Sequence, residues 1–199
     1  MDQTQGSQPF LLLGGIGSGK SFVADLLRAR GVAVVSADEV GHGLLFPDGA
    51  AFTAVAARFP ESVVSGRIDR RALGAIVFAD ADALADLESL THPAIGEEVR
   101  RRASRHRGLV AVEIPLAKDL IGERWPRVVV DAPPAVRWAR LRSRGMSEDD
   151  VEARMAAQPT REEWLALADY VIENGDGAGL EGQLDGLIEW LGDFVPPDR

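Results

Sequence analysis

The chain has 199 residues and carries 22 basic and 31 acidic side chains, which give a formal net charge of −9 at pH 7. This acidic balance argues against binding to nucleic acids, because neutralising their phosphates needs a basic surface. The absence of cysteine excludes disulfides, thiolate zinc sites and cysteine nucleophiles. No apolar run approaches the ~18 residues of a membrane span, and the N-terminus lacks the basic and apolar regions of a signal peptide. We therefore expect a cytoplasmic protein without nucleic-acid or membrane partners, and we favour a monomer.

Five short apolar runs, mostly continuous rather than alternating, predict strands that are covered on both faces, as in a parallel sheet. They span residues 10–14, 32–36, 109–114, 127–132 and 170–173. Helical periodicity and capping residues predict helices over 21–30, over 134–144, from an N-cap at Ser147 to about 157, and over 180–191. The alternation of strands and helices predicts a doubly wound α/β fold.

The stretch between the second and third strands, 37–108, is too long for a simple connection. Its pattern is almost wholly helical, with helices predicted over 50–58, 70–78, 81–90 and 92–107. Its arginine-rich end, 100–107, is interpreted as a solvated helix face that pairs partly with Glu97 and Glu98. We interpret the whole stretch as a helical subdomain inserted into the sheet.

A glycine-rich loop follows the first strand and fits the pattern G-x-x-x-x-G-K-[ST] over residues 14–21. Glycines allow a tight turn whose successive N–H groups face an anion, and the following helix points its positive end at phosphates. Lys20 would supply a cation for the β- and γ-phosphates, and the Ser21 hydroxyl would bind the Mg²⁺ that accompanies ATP. The candidate ATP-binding residues here are Gly15, Ile16, Gly17, Ser18, Gly19, Lys20 and Ser21.

This loop indicates a nucleoside triphosphate but does not define the reaction. A dinucleotide-binding G-x-G-x-x-G pattern fails, because Lys20 occupies the place of its third glycine. A GTPase would need an N-K-x-D motif, and Lys118, the second of the two lysines, does not lie in one. A motor ATPase is disfavoured by the large helical insert and the acidic surface. A small-molecule kinase is therefore the leading class.

Asp38 follows the second predicted strand. Ligands of open α/β sheets lie beyond the carboxyl ends of the strands, so this carboxylate could accept the proton of an attacking hydroxyl. The same residue could equally be the N-cap of the helix that follows. The residues alone leave both interpretations open.

The chain resembles the dephospho-CoA kinase family, whose members transfer the γ-phosphate of ATP to the ribose 3′-hydroxyl of dephospho-CoA. The resemblance covers roughly residues 11–191 and rests on motifs that occur in the family's order. After the phosphate loop these are Ala37-Asp38 with His42, Ile68-Asp69-Arg70, His92-Pro93, Ile114-Pro115-Leu116, Arg140 with Arg144, Gln158 with Arg161, and Ala168-Asp169-Tyr170-Val171-Ile172 with Asn174.

The resemblance implies a P-loop kinase fold with a five-stranded parallel sheet flanked by helices, a helical acceptor-binding insert and a helical lid. The single domain would span 10–194, with the core at 10–37, 109–132 and 166–194, the acceptor insert at 38–108 and the lid at 133–165. Segments 1–9 and 195–199 are expected to be flexible tails.

The resemblance also implies roles for particular residues. Asp38 would be the general base, with Lys20 and Arg140 assisting catalysis. The acceptor would be bound by Asp38, His42, Arg70, His92, Pro115 and Leu116. ATP would also be bound by Arg144, Arg161 and Asn174, with Asn174 and Gly175 beside the adenine. The substrates would be dephospho-CoA and ATP with Mg²⁺, the metal at Ser21, and no tightly bound organic cofactor is expected.

The arginines of the predicted lid support this interpretation. Arg137, Arg140 and Arg144 share one helical face, where an anion would offset their mutual repulsion. Arg161 follows a Gln-Pro-Thr turn, from which it could reach the transferring phosphoryl group. An ordinary solvated face is the alternative for each arginine, and Arg137 stands where the family usually has glutamine.

Several positions depart from the family pattern. Leu13 and Phe22 stand where threonine is usual, and Lys118 replaces an apolar residue in the segment 115–119. An active enzyme is still favoured over an inactive relative, because the chain keeps Lys20, Ser21, Asp38 and Arg140. The alternatives are a kinase for another small acceptor, of the nucleoside monophosphate or sugar and shikimate type, and a nucleotide-binding regulatory protein that lacks transfer.

Overall fold

The computed structural model describes residues 6–114, 120–122, 124–175 and 179–194. Its strands are β1 (Ser7–Leu13), β2 (Ala33–Ser36), β3 (Val63–Val64), β4 (Arg67–Ile68), β5 (Gly108–Glu113), β6 (Arg127–Asp131) and β7 (Tyr170–Glu173). The five predicted strands form one parallel sheet in the order β2-β5-β1-β6-β7. Neighbouring residues of β1 point to opposite faces of the sheet, and both Leu11 and Leu12 are buried. Because both faces are covered, the strands have continuous apolar sequences.

The order of the strands creates a crevice at the carboxyl ends of β1 and β5. Along the strand order, the connection from β1 to β2 runs toward one edge of the sheet, whereas the connection from β5 to β6 runs toward the opposite edge. Such a reversal between neighbouring strands is where open α/β sheets bind ligands. The register places Leu12 of β1 opposite Glu113 of β5, so the glycine-rich loop after β1 starts level with the end of β5.

The helices are α1 (Lys20–Ala29), α2 (Ala37–Leu44), α3 (Phe52–Arg58), α4 (Arg70–Val77), α5 (Ala81–Ala103), α6 (Pro134–Ser143), α7 (Glu148–Ala156), α8 (Arg161–Ala166) and α9 (Leu180–Asp193). Helices α1, α6, α7 and α9 lie where periodicity predicted them. The predicted N-cap of α7 is confirmed, since Ser147 accepts a hydrogen bond from the amide of Asp150. Strand β1 begins at Ser7, inside the segment 1–9 that was predicted to be a flexible tail.

The region 37–108 is less uniform than predicted. Strands β3 and β4 form an antiparallel hairpin, which the helical prediction missed. Its turn is Ser65-Gly66, with φ angles of 49° and 74°. A two-residue turn with positive φ at both positions matches the twist of a hairpin, and Gly66 adopts that conformation without strain.

The two helices predicted over 81–90 and 92–107 are a single helix, α5, with Pro93 in its interior. The prediction of a break was wrong, although proline cannot donate the usual hydrogen bond of a helix. Helix α5 continues through Pro93 and packs closely on a later segment, since a side chain at Gly96 would overlap the carbonyl group of Leu120. Local propensity is routinely overridden by such tertiary contacts.

The arginine-rich end of this helix is partly solvated, as predicted. Arg101 and Arg102 both pair with Glu98, and their hydrogen bonds lower the pKa of that carboxyl group to about 2. Arg100 differs, because it is half-buried and donates to the carbonyl oxygen of Ile121. The helix ends at Ala103, so the rest of the arginine run lies beyond it.

The described residues fall into two compact units. One consists of Ser36–Arg102 with residues 120–122, and the other contains the remaining described residues, including most of the sheet. In the sheet unit, α1 and α9 share a buried apolar cluster with β1 through side chains such as Leu27 and Leu187. None of the helices in the described part of the chain is both long and apolar enough to cross a bilayer.

Candidate active site

The loop between β1 and α1 has the conformation of an anion-binding turn. Gly17 and Gly19 have φ angles of 81° and 92°, which disfavour residues with a side chain. Gly19 is the N-cap of α1, no side chain caps this end of the helix, and its first turn contains no acidic residue. The first amides of α1 are therefore not taken by a capping side chain, which suits them to a phosphate.

Lys20, Ser21 and Glu113 meet in the crevice between β1 and β5. The Ser21 hydroxyl donates to Oε1 of Glu113 at 3.0 Å. The ammonium group of Lys20 lies 3.6 Å from the same oxygen and donates to the carbonyl of Ile114 at 3.1 Å. The side chains of Lys20 and Glu113 are only 13% and 16% exposed, so this charge pair is largely shielded from water.

Glu113 is a candidate functional residue that the sequence reasoning missed. The signal was present, because it is an acidic residue at the end of a continuous apolar strand. A hydroxyl and a carboxylate are the hard oxygen ligands that Mg²⁺ prefers, so the pair Ser21 and Glu113 fits this metal. Within the described ranges no cluster of three or more His, Asp or Glu side chains could hold a metal. A Mg²⁺ here would take its other ligands from substrate phosphates and water.

Arg137 and Gln158 contact the first half of the loop. Arg137 Nε donates to the carbonyl of Ile16 at 2.8 Å, and the Ile16 amide donates to Oε1 of Gln158 at 2.7 Å. Arg137 is only 5% exposed, and burial lowers the pKa of its guanidinium while Asp131 acts in the opposite direction. The alternative that Arg137 belongs to an ordinary solvated face is therefore wrong.

Arg140 and Asn174 contact the second half of the loop. The guanidinium of Arg140 donates to the carbonyls of Ser18 at 3.0 Å and of Asn174 at 2.8 Å. The Asn174 amide, 2% exposed, donates to the carbonyl of Ser18 at 2.8 Å. A side chain at Gly19 would overlap that amide, which explains the need for glycine there. Arg140, predicted to assist catalysis, and Asn174, predicted to bind ATP beside the adenine, both have their side chains against the loop, where they bind the carbonyl of Ser18.

Arg161 pairs with Asp131 at the end of β6. Its Nε donates to both carboxylate oxygens at 3.0 Å, and Nη2 donates to Oδ2 at 2.6 Å. This pairing raises the pKa of the guanidinium. The two residues line a cavity of about 450 Å³, whose other lining residues are Pro133, Val136, Glu173, Gly175 and Gln183. Asp131 is a second residue that the sequence reasoning missed.

Arg144 is the remaining predicted lid arginine. It is exposed at the C-terminal end of α6. No hydrogen bond or ion pair joins it to the loop in the part of the chain that the structure describes. The common helical face that was predicted for three arginines thus divides into one buried, one half-buried and one exposed residue.

The predicted acceptor-binding residues lie in the second unit. Asp38 and His42 are exposed on one face of α2, Arg70 is exposed at the start of α4, and His92 is half-buried within α5. The N-cap of α2 is Ser36, whose hydroxyl accepts from the Glu39 amide at 3.3 Å. The alternative that Asp38 is an N-cap is therefore wrong.

Helices α2 and α5 pack together inside this unit. A Cβ at Gly41 would lie 3.3 Å from the side chain of Ile95, one helical turn beyond His92. This contact brings the helices that carry His42 and His92 side by side. Two further predicted residues, Pro115 and Leu116, lie outside the described residues.

The parallel sheet, its strand order and a loop that ends in Lys20 and Ser21 together define a P-loop kinase. Comparison with known proteins supports this class. The family model described as dephospho-CoA kinase matches residues 11–179. The chain belongs to the dephospho-CoA kinase family, and it is an ATP-dependent kinase.

Curated relatives cover most of the chain. It is 41% identical over 184 residues to a dephospho-CoA kinase of Aromatoleum aromaticum, covering 88% of this chain and 90% of the relative. It is 43% identical over 183 residues to a dephospho-CoA kinase of Methylococcus capsulatus, covering 88% of this chain and 92% of the relative.

Solved structures also match most of the chain. A crystal structure from Thermus thermophilus, 35% identical, matches with a TM-score of 0.80 over 96% of this chain and all of the other. A dephospho-CoA kinase from Campylobacter jejuni, 26% identical, matches with a TM-score of 0.69 over 94% and 99% of the two chains. A shikimate kinase from Acinetobacter baumannii, 15% identical, matches with a TM-score of 0.54 over 97% of each chain and shares the fold alone.

Proposed function

We propose that this chain phosphorylates the ribose 3′-hydroxyl of dephospho-CoA with ATP, giving coenzyme A and ADP. Membership of the dephospho-CoA kinase family supports the acceptor. The observation that carries the proposal is the crevice in which Lys20, Ser21 and Glu113 meet. It lies at the end of the phosphate loop, where no side chain caps the start of α1. This arrangement suits phosphoryl transfer, in which positioning and charge stabilisation supply most of the catalysis.

The loop and its neighbours bind the donor. The loop amides and the start of α1 receive the β- and γ-phosphates, and Lys20 exchanges its contact with Glu113 for these oxygens. Ser21 and Glu113 would hold the Mg²⁺ that accompanies ATP, which neutralises charge on the phosphates. The cavity beside Gly175 and Pro133 takes the adenine, so Gly175 lines the base while the Asn174 side chain stays on the loop.

The lid residues enclose the transfer. Arg140 already contacts the loop, and Arg144 and Arg161 close over the phosphates in the substrate complex. Arg161 must then exchange Asp131 for a phosphate oxygen, a similar charge-assisted contact. Closing the segment 133–165 excludes water and so suppresses hydrolysis of ATP.

Asp38 acts as the general base of the insert, the segment 38–108. It accepts the proton of the 3′-hydroxyl while that oxygen bonds to the γ-phosphorus and the bond from this phosphorus to the ADP oxygen breaks. Its position supports this role, since it lies two residues after the end of β2, and Ser36 instead of Asp38 caps α2. His42, Arg70, His92, Pro115 and Leu116 bind the rest of the acceptor. We place the reaction in the cytoplasm and expect a monomer that acts on small molecules alone.

The variant Asp38→Asn tests the assignment of the base. We expect its affinity for ADP to stay within twofold, whereas transfer to dephospho-CoA falls by a factor of about 10² or more. The neighbouring exposed carboxylate provides the matched control, because Glu39→Gln should leave transfer unchanged. Full transfer by Asp38→Asn would reject Asp38 as the base.

A panel of acceptors tests the substrate. Dephospho-CoA should be phosphorylated with a kcat/KM well above that of nucleoside monophosphates or shikimate. If dephospho-CoA is no better than these, the proposed acceptor is wrong. ATP binding without transfer to any acceptor would instead favour a regulatory protein.

A further inference from the structure

Both backbone polar groups of Ile16 are bound by side chains from outside the phosphate loop. Its amide donates to Oε1 of Gln158 at 2.7 Å, and its carbonyl accepts from Nε of Arg137 at 2.8 Å. A third contact closes the network, since Nη2 of Arg137 lies 3.4 Å from the same Gln158 oxygen. Arg137 belongs to α6, and Gln158 follows the end of α7.

Arg137 also fills the space above the loop glycines. A Cβ at Gly15 would lie 2.5 Å from Nη2 of Arg137, and a Cβ at Gly17 would lie 2.9 Å from its carbonyl oxygen. The loop and the arginine are therefore in direct contact along two residues. The guanidinium therefore limits the space available at Gly15, and the backbone of Arg137 limits it at Gly17.

The guanidinium is an unusual group for this place. It is 5% exposed, and in the described ranges no carboxylate lies within ion-pair distance of it. Its hydrogen-bond partners are all neutral, so its charge is costly to bury: burial lowers the pKa of the guanidinium, and the charge of Asp131, beyond ion-pair distance, offsets this only in part. A bound phosphate chain on the adjacent loop would offset this cost, which a purely structural role does not explain.

We propose that Arg137 and Gln158 are positioning residues of the phosphate loop. By binding the N–H and the C=O of Ile16, which belong to two successive peptide units, they set the direction in which the neighbouring loop amides point. Since both belong to the segment 133–165, they also connect that segment to the loop. The inference rests on the proposed function only in taking a nucleoside phosphate as the ligand of the loop.

Binding of ADP and of adenosine to the full chain, measured by calorimetry, tests the proposal. The variants are Gln158→Leu and Arg137→Met, which keep most of the side-chain volume, with Arg154→Met on the exposed face of α7 as control. Each test variant should weaken ADP binding about tenfold and leave adenosine binding within twofold. Because the two residues share one network, the double variant should bind ADP within threefold of the weaker single variant. The KM for ATP should rise, and that for dephospho-CoA should not.

Several results would overturn the proposal. ADP binding within twofold in both variants would show that the network does not shape the loop. Equal losses for ADP and adenosine would indicate general damage instead of a phosphate-specific role. If Arg137→Met does not fold, Gln158→Leu decides alone, since Gln158 lies at a turn and is half-buried. A chain that binds ADP as predicted but does not phosphorylate dephospho-CoA refutes the proposed acceptor and leaves this inference intact.

Discussion

The ion pair between Asp131 and Arg161 should respond unequally to the loss of either partner. The carboxylate side chain is 8% exposed, whereas the guanidinium side chain is 39% exposed. Removing Arg161 leaves the buried carboxylate of Asp131 without its ion-pair partner. Neutralising Asp131 leaves the guanidinium of Arg161, which water can solvate. The asymmetry in exposure therefore predicts an asymmetry in stability.

The magnitudes follow from the two limits for ion pairs. Breaking a fully buried pair costs roughly 3–5 kcal/mol, and an exposed pair contributes about 0–1 kcal/mol. Since this pair lies between the limits, we expect about 2–3 kcal/mol for Arg161→Met and about 1 kcal/mol for Asp131→Asn. For a chain of this size each kcal/mol lowers the Tm by roughly 2–4 °C.

Thermal unfolding of four variants measures these effects. The double variant Asp131→Asn/Arg161→Met should be more stable than Arg161→Met, because it no longer contains the buried charge. As a control, Arg28→Met breaks a pair whose side chains are 48% and 70% exposed, and it should change the Tm by no more than about 4 °C. Equal losses in the two single variants, or a double variant less stable than Arg161→Met, would refute the argument from burial.

Three further predictions concern the loop and the lid. Glu113→Gln should raise the Mg²⁺ concentration for half-maximal turnover by about 10- to 100-fold without weakening metal-free ADP binding, and weaker metal-free binding would contradict the assigned role. Gly19→Ala should abolish measurable ADP binding, because its Cβ would overlap Asn174. The control is Gly31→Ala, since Gly31 has a similar φ of 82° but open space around it. This control should lose only about 1–2 kcal/mol of stability and keep its binding of ADP. Arg144→Ala should leave the Tm within about 2 °C and raise the KM for ATP, and an unchanged KM would remove Arg144 from the ATP site.

The sheet and the phosphate loop were predictable because each has a local cause. A strand buried on both faces needs a continuous apolar sequence, and a loop that turns its amides toward an anion needs glycines at fixed places. Both requirements act on neighbouring residues, so they are visible in the sequence. The same holds for the N-cap of α7 at Ser147.

Other features depend on contacts between distant residues. The break predicted at Pro93 does not occur, and α5 packs closely on Leu120 at Gly96, a contact that the local sequence does not show. The hairpin turn at Ser65-Gly66 was visible as a turn signal, but two-residue strands are too short to show alternation. Both errors lie in the region 37–108, where the matching motifs identified residues but did not define the secondary structure around them.

The lid arginines show the same limit within the site. Their spacing on α6 places Arg137, Arg140 and Arg144 on one face, but spacing does not say what covers that face. Burial of Arg137 against Ile16 and exposure of Arg144 follow from where the helix lies on the loop. Glu113 was missed for a related reason, since its role depends on β1 and β5 being neighbours in the sheet.

Because lysine is scarce in this chain, the amino group of Lys20 can be used as a chemical marker of the phosphate loop. Only Lys20 and Lys118 carry an ε-amino group among the 199 residues. An amine-reactive reagent therefore has one competing lysine, and cleavage after arginine separates the two on different peptides. The extent of acylation at Lys20, with and without nucleotide, would report occupancy of the loop directly by mass spectrometry. A bias in composition toward arginine thus makes the loop observable without introducing any probe.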